Sequence, residues 1–71
     1  MEVNKMKATI KFKDWSTGSK RQKTFEVAKN EPNQIVREFV KLMNVPKNTY
    51  IDTVKCGRIE YQWFGVAREA F

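Results

Sequence analysis

The 71-residue chain has no histidine, one cysteine, two prolines and three glycines. Without histidine it lacks the commonest general base, the centre of nucleophile–base triads and the usual zinc ligand. A lone cysteine excludes an intrachain disulfide, and a reducing compartment is the simplest expectation, with Cys56 expected as a small buried hydrophobe rather than a reactive thiol. Gly18, Gly57 and Gly65 are too dispersed for a phosphate-cradling loop. The acids stand singly at positions 2, 14, 26, 31, 38, 52, 60 and 69, without a clustered pair for acid–base or two-metal work. These absences predict a protein with no enzymatic activity, no metal and no cofactor. No apolar run nears the roughly 20 residues that span a bilayer, and the N-terminal lysines have no apolar stretch behind them. The expectation is a cytoplasmic protein with no signal peptide and no membrane association.

What is present suits one packed domain, residues 1–71. The chain is 41% hydrophobic, with five Phe, two Trp and two Tyr, a composition unlike that of a disordered tail. Between Lys5 and Lys13, the apolar Met6, Ala8, Ile10 and Phe12 alternate with lysines, interrupted only by Thr9. Alternate strand side chains point to opposite faces, so a strand over residues 5–13 buries one face and displays ammonium groups on the other. Turn formers from Asp14 to Ser19 predict a hairpin loop, followed by a second strand around Lys23 to Lys29. Asn30 or Asn33 is expected to cap a helix whose apolar residues at 35, 36, 39, 40, 42 and 43 form a stripe about 160° wide. Asn44 is expected as its left-handed cap.

The rest predicts a hairpin turning at Cys56-Gly57, with Lys55 facing Arg58 and Tyr50 facing Trp63, or else one long strand bulged at Gly57. In the hairpin register Tyr50, Val54, Ile59, Tyr61 and Trp63 share a side, joined by Asp52. The tail from Phe64 to Phe71 is expected to fold back as one helical turn. The fold class is therefore α+β, a small ββαββ domain with one helix packed on a mainly antiparallel sheet. Lys23-Thr24-Phe25-Glu26-Val27 and the capped helix after it resemble the ubiquitin-like β-grasp, which implies a β-grasp-like arrangement. The chain ends Glu69-Ala70-Phe71, without paired terminal glycines, so conjugation is not implied.

Charge is uneven. Residues 1–30 hold eight Lys/Arg against three acids, a balance of +5, while residues 31–71 hold six against five, a balance of +1. Anionic polymers bind such surfaces by releasing counterions. The expected partner is nucleic acid or another polyanion, held by Lys5, Lys7, Lys11, Lys13, Lys20 and Arg21. Trp15 either stacks on a base or covers one end of the core. Ten lysines against four arginines suit phosphate contact better than base reading. A lysine row also keeps a strand soluble and protects an edge. Thr53, in the other half of the chain, is expected to lie away from this surface. The alternative is a protein-interaction module or small inhibitor, of the sort mobile elements encode. It would bind a protein partner through Trp63, Phe64 and Phe71 or through a sheet edge.

Overall fold

The computed structural model describes residues 5–71. Four strands, β1 (Met6–Lys13), β2 (Lys20–Val27), β3 (Tyr50–Cys56) and β4 (Ile59–Val66), form one antiparallel sheet in the order β2-β1-β3-β4. The helix α1 (Pro32–Met43) links β2 to β3, and a 3-10 turn, Ala67–Ala70, follows β4. Both β2 and β3 run antiparallel to β1, so they are parallel to one another and need a crossover rather than a hairpin. α1 is that crossover. Among the described residues, no helix is long and apolar enough to cross a membrane.

The alternation in β1 fixes which face α1 covers. Ala8, Ile10 and Phe12 are buried, whereas Lys7, Lys11 and Lys13 are exposed on the uncovered side. The Phe12 ring lies 4.8 Å from that of Phe39 at 58°, a tilted pairing that suits aromatic quadrupoles, and Phe25 adds a second ring at 6.5 Å. Cys56 is buried in the same core, its thiol 4.0 Å from the Met6 sulfur.

Of the apolar helix stripe, Ile35, Val36, Phe39 and Val40 are buried, but Leu42 is 56% exposed. Leu42 sits at one margin of the stripe and lines a groove with Phe25 of the edge strand β2, while Phe39 is the helix residue whose ring meets Phe12. Neither Asn30 nor Asn33 caps the helix. Glu31 holds the extended N-cap position without a side-chain bond, and Asn30 instead accepts a hydrogen bond from the Tyr61 hydroxyl at 3.3 Å. At the other end Asn44 adopts φ 51°, ψ 46°, the left-handed cap expected.

β2 begins earlier than its sequence suggests. Backbone bonds from Asp14 N–H to the Ser19 carbonyl and from Gly18 N–H to the Asp14 carbonyl, at 2.8 and 2.7 Å, close the loop by Ser19. Pairing starts at once with Lys13 opposite Lys20, and Ala28 and Lys29 fall beyond the strand.

The second hairpin forms, but its loop is Gly57-Arg58. Cys56 pairs with Ile59, Lys55 with Glu60 and Val54 with Tyr61, so Lys55 does not face Arg58. Gly57, at φ +62°, takes the first loop position, where a two-residue hairpin of type II′ needs a glycine. Moving the loop by one residue preserves the faces near it. They change further along, where the register slips between Ile51 and Thr53. Tyr50 pairs with Val66 rather than Trp63, Ile51 becomes fully buried, and Tyr50 and Asp52 leave the core side. The charged Asp52 is thereby spared burial.

Candidate nucleic-acid interface

The uncovered face has two ends, set by what stands opposite each lysine. Near the β3–β4 loop, Lys7 pairs with Glu26 and Lys55 with Glu60, two cross-strand partnerships of opposite charge. Toward the β1–β2 loop, Lys11 faces the neutral Gln22 and Thr53, and Lys13 faces Lys20. Like charges directly opposite are destabilising. The Lys13 ammonium leans instead over the Tyr50 ring, 5.4 Å from its centroid, a contact contributing about 0.5–1 kcal/mol at an exposed site.

Lys11, Lys20, Arg21, Gln22, Asp52 and Phe64 line an open trough at this second end. These residues come from all four strands, so the trough crosses the sheet, a width of roughly 14 Å at ~4.8 Å per strand. β2 gives it a basic rim and β4 an aromatic one. Phe64 is 59% exposed and has φ +43°, an uncommon conformation for a bulky residue, whose cost is about 1–2 kcal/mol. It lies where the β3–β4 register slips, and bulges of this kind re-aim side chains. Trp63, its neighbour, packs against the core and donates its indole N–H to the Val66 carbonyl at 3.1 Å, closing the irregularity from inside.

The remaining residues expected on the basic surface divide. Lys5 is exposed but lines the groove beside Leu42, Glu26 and Glu38, far along β1 from Lys13. Arg21, the register partner of the buried Phe12, leaves the edge strand on the side opposite to Lys20 and Gln22; it borders the trough at the sheet edge and pairs with Asp14, Nη1 to Oδ2, at 3.2 Å. The Asp14 carboxyl lies below its ordinary 3.8, chiefly because the Ser16 hydroxyl and then the Ser16 backbone N–H donate to it, with Arg21 adding attraction. Trp15, in the loop these bonds shape, is 66% exposed and does not cover the core.

Trp63, Phe64 and Phe71 have three different surroundings: the core, the trough, and the Lys47 ammonium at 4.5 Å from the Phe71 ring. They do not make one aromatic cluster. Thr53 is not remote from the basic surface, because β3 lies beside β1 and sets Thr53 opposite Lys11. Sequence reasoning missed Lys55 and Tyr50 on this face, and named Phe64 only with Trp63 and Phe71 as an aromatic protein-binding surface. That Thr53 stands opposite Lys11 and Lys55 opposite Thr9 carried no signal until the β1–β3 pairing was known. Comparison with family models, curated proteins and solved structures gives no match for this chain.

Proposed function

We propose that this is a small non-catalytic nucleic-acid-binding accessory protein of the cytoplasm, contacting phosphates through the loop-proximal end of its open sheet face. The observation that carries this reading is the Lys13–Lys20 opposition beside Lys11, three lysines whose register partners are not acids, with Asp52 and the Asp14–Arg21 pair at their border. A phosphate placed among them offsets a repulsion that the fold otherwise bears. Lys7 and Lys5, close to acids of their own, take a lesser part.

Salt titration tests it. Four cations neutralising phosphates give a slope of log affinity against log salt of about −3 to −4 for duplex DNA, taking roughly 0.9 per contact. Lys11→Ala is expected to shallow that slope by about one, across unrelated sequences alike, and Lys7→Ala by well under one. Absence of binding to duplex and single strand at low salt would sink the reading. The second reading, a protein-interaction module or inhibitor, would then lead on the free β4 edge, where Ile59 and Phe64 are exposed.

A further inference from the structure

We infer that the trough holds an unpaired strand, stacking a base on Phe64 while the backbone follows Lys11, Lys20 and Arg21; this rests on the nucleic-acid reading above and names its substrate class. Phosphate contact needs only cations. The trough offers more, because an aromatic ring stands at its β4 rim, exposed and turned outward at a bulge by a residue of positive φ. Tyr50 and Trp15 add exposed rings at the same end of the sheet, each next to a basic residue: Tyr50 under Lys13, and Trp15 beside the Asp14–Arg21 pair. Cations interleaved with aromatic faces are what binds single strands, since every base has a π-face and stacking tolerates any sequence. A paired duplex hides those faces inside its own stack, and an open trough across the face of a sheet presents no helix or ribbon to enter its major groove. At the roughly 3.4 Å spacing of stacked nucleotides, the trough's width accommodates about four, and fewer if the strand is extended.

Charge complementarity favours an anionic polymer, and the rings favour one bearing bases. An acidic protein segment would use the same lysines but leave Phe64, Tyr50 and Trp15 without a planar partner.

The experiment uses the full chain and five probes at fixed moderate salt: a twelve-residue deoxythymidine oligomer, its uridine counterpart, a twelve-base-pair duplex, inorganic polyphosphate and a polyglutamate peptide. Both oligomers are expected to bind within about threefold of each other, and at least about tenfold more tightly than polyphosphate or duplex; binding should also quench tryptophan fluorescence through Trp15. Phe64→Ala should weaken the deoxythymidine oligomer by about 5- to 150-fold, the equivalent of one stacked base, and leave polyphosphate within about twofold. Phe64→Trp keeps a π-face in the same backbone conformation and should restore binding, which separates stacking from a disturbed bulge. Thermal unfolding of both variants confirms that they are folded.

Equal affinity for oligomers, duplex and polyphosphate, unchanged in Phe64→Ala, would overturn the single-strand assignment and leave phosphate contact standing. Polyglutamate bound as tightly as the oligomers would also overturn it, in favour of an acidic protein. A preference above about 100-fold for one sugar would mean that the 2′ position is read, which stacking and phosphate contact do not do. Failure of every nucleic-acid probe and of polyphosphate would remove the underlying reading as well.

Discussion

At one end of the open face, Lys7 stands opposite Glu26 and Lys55 opposite Glu60; at the other, Lys13 stands opposite Lys20 and Lys11 opposite Gln22. The same sheet carries both ends, so strand propensity and solubility apply to both alike. What differs is whether the register supplies each cation with an acid. A lysine row that serves only to keep a strand soluble would gain from such acids everywhere, as cross-strand pairs of opposite charge contribute about 0.2–1 kcal/mol. Their omission at one end, beside an outward-turned Phe64, is a local rule broken where a site would break it.

Both ends depend on the covered face beneath them, and the largest expected effect removes that shared support. Phe39 is fully buried against Phe12 and Phe25. Phe39→Ala should cost about 3–5 kcal/mol, enough in so small a domain to unfold much of the population. Chemical denaturation measures it. A loss below about 1 kcal/mol would mean that the helix is held elsewhere and that the two ends need not respond together.

Lys20→Glu makes the second end resemble the first. It turns the Lys13 opposition into a pair of opposite charge, so stability should rise by about 0.2–1 kcal/mol. Nucleic-acid affinity should fall by about tenfold or more, because one phosphate contact is lost and a repulsion is added. Stability and binding thus move in opposite directions. A variant that lost both would show Lys20 to be structural, and one that bound unchanged would place the phosphates elsewhere.

Much of the contrast was legible in the sequence, because much of it is local. The two-residue alternation of β1 assigns Ile10 inward and Lys11 outward with no knowledge of neighbours, and Asn44 announces the helix end by its tolerance of positive φ. The turn formers from Asp14 to Ser19 announced the β1–β2 loop, but not that pairing starts at once with Lys13 opposite Lys20. What could not be read was non-local. β3 joins β1 only after a crossover, so nothing in the chain's order puts Thr53 against Lys11. The register slip that buries Ile51, frees Asp52 and turns out Phe64 depends on fitting β3 between two neighbours at once. Leu42 belongs to the apolar stripe by angle yet stays exposed, since periodicity states a direction and not what lies in that direction.

A smaller effect concerns Asp14, the acid bordering the basic end. Its folded pKa is depressed by the Ser16 donors and by Arg21, so its contribution to loop order is present above its ordinary 3.8. It is lost as the pH falls below 3.8 through the folded value. Trp15 fluorescence should therefore stay flat from neutrality to about pH 4 and titrate below it. Asp14→Asn retains an oxygen for the Ser16 N–H but releases Arg21 from its ion pair, and should strengthen nucleic-acid binding by about two- to fivefold at low salt. Unchanged affinity would show that Arg21 stays turned away from the ligand with or without its partner.

The smallest expected effect lies at the boundary between the ends. Thr53 stands between Lys11 of β1 and Gln62 of β4, and its inaccessible hydroxyl has no hydrogen-bond partner among the described residues. Thr53→Val keeps a β-branched side chain suited to a strand and removes that oxygen. Stability should change by no more than about 0.5 kcal/mol or rise slightly, because deleting an unsatisfied group sacrifices no bond. Affinity should stay within about twofold, since the hydroxyl is shielded from any strand lying in the trough. A tenfold loss of binding with stability intact would mean that the ligand opens this position and bonds to it. The interface would then extend past Lys11 toward Lys55, and the division of the face into a neutralised end and an unneutralised one would no longer mark where binding stops.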